Sequence, residues 1–100
     1  MSDASDGEDV LVPVPWYKPS EWERLEEIAP DLKQRYESYE QWHAGMTRAM
    51  DRLRRDGKTP VKVEIEVEDL LAWCRTAGRP VDSAARAEYA AAKLQEEQGG

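Results

Sequence analysis

Val61-Lys62-Val63-Glu64-Ile65-Glu66-Val67 alternates apolar and charged side chains without a break. A strand sends successive side chains to opposite faces, so this stretch predicts a strand over 61–67 with one face buried and one wet. A lone strand leaves its backbone groups unpaired and needs a partner. Three arrangements are open. The first choice is pairing with the same strand of a second copy; the others are pairing with residues 10–15 of the same chain, or some further arrangement.

Downstream, apolar residues at helical spacing (Leu70, Leu71, Trp73, Cys74) predict a helix over 68–77, closed by Gly78. Asp82 or Ser83 caps a last helix over 83–96, in which Ala84, Ala85, Ala87, Ala90, Ala91 and Ala92 permit close backbone approach. Trp73 directly follows the strand region, so it is expected to be mostly buried where the strand meets these two helices. Trp16, in a proline-rich segment, is expected to matter much less.

Upstream, Leu32, Tyr39, Met46 and Leu53 recur every seven residues, flanked by Tyr36, His43 and Met50 and widened by Trp42 and Ala49. One long helix over 31–55 follows, ended by Asp56-Gly57. Gly45 inside it marks a close crossing or a break. Ser20-Glu21-Trp22-Glu23 reads as a capping box opening a helix over 20–29, which stops before Pro30. Residues 10–17 begin Val10-Leu11-Val12-Pro13-Val14-Pro15, which fits an edge strand with its prolines facing out, or a polyproline-like lead-in. Residues 1–9 (MSDASDGED) are polar and acidic and read as a disordered, dispensable tail. The expected fold class is mainly α with a minor β element. It has four helices (20–29, 31–55, 68–77, 83–96), one strong strand (61–67) and a single helical domain across 18–97.

One hundred residues make at most one domain with a modest core, for which dimerisation is a common remedy. The net charge of −7 is unevenly spread: residues 1–40 hold four basic and eleven acidic side chains, residues 41–60 five and two. The basic set Arg48, Arg52, Arg54, Arg55 and Lys58 lies where cations complement the dipole at a helix C-terminus, which accounts for it without nucleic acid. A single cysteine excludes an internal disulfide framework and suits a reducing compartment. No signal-peptide pattern and no apolar run of membrane length is read, so a cytoplasmic protein without membrane contact is expected.

Glu40 and His43 form a Glu-x-x-His spacing, but di-iron bundles use two such motifs with further carboxylates, and His43 sits on an apolar seam. Cys74 has no second histidine or paired base to activate it and reads as an inert core thiol. The pairs Glu26-Glu27, Glu64/Glu66 and Glu68-Asp69 read as solvated faces. No phosphate loop, nucleophile elbow or Cys-x-x-Cys is present. The four tryptophans, Trp16, Trp22, Trp42 and Trp73, read as core filling, with an exposed one as an interface anchor the alternative.

The strand–helix–helix order across residues 60–96, with Gly78-Arg79-Pro80-Val81-Asp82-Ser83 as the turn, resembles ribbon–helix–helix regulators. That resemblance implies a dimer whose paired strands enter the DNA major groove. The chain departs from the pattern in two ways: the first helix is about one turn short, and the outward residues are Lys62, Glu64 and Glu66, where acidic groups repel phosphate and base edges. Asp69-Leu70-Leu71-Ala72-Trp73-Cys74, Gly78 and Ala85-Arg86-Ala87-Glu88-Tyr89, preceded by Trp-rich helices, are also similar to small bacterial proteins of no assigned function. This likeness implies a bacterial cytoplasmic setting and no activity. The reading is a non-enzymatic protein-interaction or accessory module, acting as a homodimer with a further protein partner. No catalytic, metal or cofactor residue is assigned. The alternative is a ribbon–helix–helix-like transcription or antitoxin-type regulator.

Overall fold

In the segment before the first tryptophan, alternate residues are proline, and the backbone uses that alternation. A computed structural model describes residues 10–99, so the reading of 1–9 lies outside the described residues. Strand β1 (Leu11–Trp16) runs parallel to strand β2 (Thr59–Glu64), with Leu11 opposite Thr59 and Trp16 opposite Glu64. Thr59 N–H donates to the Val10 carbonyl (2.9 Å) and Ile65 N–H to the Trp16 carbonyl (3.0 Å). Backbone groups alternate in direction along a strand, so the even-numbered residues of β1 bond β2. Pro13 and Pro15, which have no N–H to offer, face the outer edge. Pro60 does the same on the outer edge of β2.

The expected partner of the 61–67 strand therefore changes. It pairs inside the chain, with β1, rather than with a second copy. A parallel pair needs a long crossover, and residues 17–58 supply one made of helices. The strand itself also shifts. Its hydrogen-bonded part is Thr59–Glu64, because Val67 opens a helix. The alternation still decides burial beyond the strand's end: Val63, Ile65 and Val67 are buried, while Glu64 and Glu66 are exposed.

Among the described residues the helices number five rather than four. A 3-10 turn (Pro19–Glu21) leads into α1 (Trp22–Ile28), and α2 spans Pro30–Arg35. Then Tyr36 turns extended, and α3 runs from Tyr39 to Arg55. The break falls at 36–38, not at Gly45, and a local device makes it. Ser38 Oγ accepts from Gln41 N–H (3.1 Å), and Gln41 Oε1 accepts from Glu37 N–H (2.7 Å). Ser38 is thus the N-cap, and Gln41 reaches back one residue beyond it, a variant of the capping box. The box expected at Ser20 and Glu23 does not form: α1 has no side-chain cap. Instead Glu21 Oε1 reaches across the chain to accept from Val67 N–H (2.8 Å), satisfying a donor at the start of α4 (Val67–Ala77).

The remaining boundaries fall close to expectation. Gly57 and Gly78 follow α3 and α4 with φ of 81° and 65°, the left-handed region glycine enters without a Cβ penalty. Arg79 N–H donates back to the Cys74 carbonyl (3.0 Å) and closes α4. Asp82 Oδ1 accepts from Ala85 N–H (2.9 Å) and caps α5 (Ser83–Gly99). Helix α5 packs on β1 and α4, α3 packs on β2, and α1 packs on α4. One hydrophobic cluster joins β1, β2 and all five helices.

The tryptophan expectation is reversed. Trp16, Trp22 and Trp42 are buried, whereas Trp73 is only partly covered. Trp16 is held because β1 is an inner wall of the core rather than a lead-in. Trp73 lies on the flank of α4, where its ring meets Tyr89 of α5 edge-on at 5.4 Å.

Candidate functional site

Trp42 is the hub from which the site is built. It is placed one turn into α3 by the Ser38 cap, and its ring lies 5.0 Å from Trp16, 5.5 Å from Tyr17, 5.3 Å from Tyr39 and 5.7 Å from Trp22. Tyr39 Oη donates to the Tyr17 carbonyl (3.0 Å), which ties the first turn of α3 to the end of β1. Tilted aromatic pairs at these separations add to their area burial. They hold β1, α1 and α3 in fixed relation.

Beside this hub is a cavity of about 200 Å³ where β1, α2, α3 and α5 meet. Its apolar wall is Pro15, Trp42, Met46 and Ala87; Arg35, Ser83 and Arg86 form the polar wall, and Tyr17 lies between. Arg86 is 5% exposed. Its guanidinium grips Asp31 with two bonds (3.0 and 2.7 Å) and donates to the Val81 carbonyl (3.2 Å). The hydrogen bond from Arg86 holds the Asp31 carboxyl below the usual carboxylate range. Burial pushes the Tyr17 phenol well above its ordinary value, partly offset by the nearby Arg86 charge. Among the described residues, Tyr17 Oη is the one buried side-chain polar atom without a hydrogen-bond partner. A buried polar group in that condition costs about 1–3 kcal/mol.

The residues singled out from the sequence are placed elsewhere. His43 is exposed, edge-on to Trp16 at 5.2 Å. With Glu40, Pro19 and Tyr39 it lines an open depression of about 320 Å³. No group of three or more His, Cys, Asp or Glu side chains suited to a metal forms among the described residues. Cys74 is 1% exposed, and burial raises its thiol pKa. Glu68 is held by Arg24 (2.6 Å), Glu66 faces Lys18 (3.9 Å), and Lys62 sits 4.2 Å over the Trp16 ring. Arg48, Arg52, Arg54, Arg55 and Lys58 are exposed around the end of α3, interleaved with Asp51, which pairs with Arg54 at 3.0 Å.

A second surface lies between α4 and α5. Trp73 is flanked there by Tyr89 and by the Arg79 guanidinium at 5.8 Å from its ring. Arg79 is fixed in turn by Glu88 (2.6 Å). Neither Tyr17 nor Arg86 was legible as a site residue. The sequence signal for Arg86 was faint: an arginine between Ala85 and Ala87 on the face that also carries Ala90. No protein-family model matches this chain, and neither a curated protein nor a solved structure does. No helix of the described residues is long and apolar enough to cross a membrane.

Proposed function

We propose that this chain is a non-enzymatic interaction module that acts as a homodimer through its α4–α5 face. The observation that carries the reading is the half-covered Trp73, set edge-on to Tyr89 with the Arg79 guanidinium near its ring. Tryptophan, tyrosine and arginine are the residue types that dominate interface hot spots. Here the tryptophan is pre-positioned by its neighbours, so little rotamer freedom is lost on docking. The neighbouring surface of α5 favours a second copy as occupant. Ala92, three residues beyond Tyr89 on the same side of α5, is exposed and lets another helix approach closely. Antiparallel pairing of two α5 helices would set Glu96 and Glu97 of each beside the positive N-terminal end of the other.

The regulator alternative needs a strand ribbon between two copies; β1 occupies one edge of β2, and Pro60 removes a donor from the other. Light scattering at tens of micromolar tests the proposal. The parent should show twice the 11.4 kDa chain mass, and Trp73→Ala should revert to one chain while keeping its helical circular-dichroism signal. A parent of single-chain mass, or a Trp73→Ala variant that still dimerises, overturns it.

A further inference from the structure

Among the described residues, the walls of the 200 Å³ cavity carry two guanidinium groups, Arg35 and Arg86, and no carboxylate. The adjacent acid, Asp31, is already engaged by Arg86 through both oxygens. Positive charge at this place is therefore not fully answered from within the fold. Two more donors border the space. Ser83 brings a hydroxyl at the first turn of α5, where the helix dipole also favours negative charge. Tyr17, 2% exposed, brings a phenol that is sealed from the surface and has no partner among the described residues. The opposite wall, Trp42 and Met46 with Pro15, is apolar and aromatic. An apolar cavity of about 150 Å³ is enough to hold a benzene ring.

From this division of the walls we infer that the cavity binds a small monocarboxylate with a compact apolar body. The carboxylate faces Arg35, Ser83 and the Tyr17 hydroxyl, and the apolar part packs on Trp42 and Met46. Arg86 is held in place by Asp31 and supplies fixed positive potential rather than a free fork. Arg35 is exposed at the end of α2 and closes on the ligand from the mouth. Binding would give the Tyr17 hydroxyl the acceptor it lacks, after a small displacement of the wall that now seals it. The buried orphan is thus a cost that the ligand relieves.

Sodium benzoate serves as the probe, with benzyl alcohol and inorganic phosphate as controls, in titration calorimetry and in ¹H–¹⁵N spectra of the full chain. Benzoate should bind saturably, shifting the Trp42 indole and the Ser83 and Arg86 amides, and more tightly than either control. Arg35→Gln and Tyr17→Phe should each weaken it about tenfold or more, the worth of a hydrogen bond to a charged group. Tyr17→Phe keeps the ring and removes the orphan, so it should melt no lower than the parent, which separates lost binding from lost structure. No saturable binding overturns the inference, as does benzyl alcohol or phosphate binding as tightly as benzoate. So does either variant binding benzoate as the parent does.

Discussion

The two halves of the core are packed on different principles. Around Trp42, five aromatic rings from the end of β1, α1 and α3 meet at centroid separations of 5.0–5.8 Å, and Trp42 itself touches the other four. Between α4 and α5 the buried side chains are small and apolar (Val67, Leu70, Cys74, Ala85, Ala90, Leu94), and the two large rings, Trp73 and Tyr89, stay at the rim. The first region joins segments distant in sequence. The second is a helical hairpin closed by local signals at Gly78 and Asp82. Residue type alone therefore does not assign a role to a tryptophan. What matters is how many separate elements its ring must join.

Alanine at Trp42 is the harshest test of that contrast. Removing the hub should cost about 3–5 kcal/mol, the range for a buried aromatic. Small domains have about 5–15 kcal/mol in total, so the variant should be largely unfolded in urea titrations at concentrations the parent tolerates. The seam between the two regions comes next. Asp31→Ala leaves the Arg86 guanidinium, whose side chain is 7% exposed, with the Val81 carbonyl alone; since Asp31 is itself 37% exposed, the cost should be about 2 kcal/mol, below that of a wholly buried pair. Trp73→Ala should cost only about 1 kcal/mol, chiefly its pairing with Tyr89, while removing the dimer. A Trp73→Ala midpoint as low as that of Trp42→Ala would erase the distinction between hub and rim.

The mildest effect is pH-dependent. Asp31 has a lower pKa folded than unfolded, so its contribution is complete above the ordinary carboxylate value of about 3.9 and is lost as pH falls through the lowered folded value. The urea midpoint should hold steady down to about pH 5 and fall below about pH 4. Asp31→Asn should start lower and flatten that acid limb; an unchanged limb would show that the Arg86 pair does not set it.

Local chemistry was readable in the sequence wherever it was self-contained. Gly57, Gly78 and Asp82 end or begin helices because each acts on its own neighbours. The seven-residue seam from Leu32 to Leu53 concealed a break that Ser38-x-x-Gln41 announces, since apolar spacing continues across the gap while the backbone does not. The partner of β2 was one of three arrangements left open: the outward prolines marked residues 10–15 as an edge strand, but nothing ranked that pairing first. A parallel strand pair depends on how the three intervening helices return the chain, and no feature of either strand encodes that path. The cavity was hidden for the same reason. Arg86 looks like any surface cation until α5 is packed against Asp31, and Tyr17 looks like a lead-in residue until Trp42 covers it.

The proline-bearing strand also has a history in time. Leu11 is paired with Thr59, forty-eight residues later, so a chain made from its N-terminus must hold β1 unpartnered while the three helices between are synthesised. At about 5–20 residues per second that interval is roughly 2–10 s. An apolar strand left open that long is exposed to adding itself to other nascent chains. With no donors at Pro13 and Pro15, one edge of β1 is a poor template from the moment it is made, and Thr59–Glu64 closes the other edge as soon as it arrives. The same two residues that shape the finished sheet therefore also guard the unfinished one.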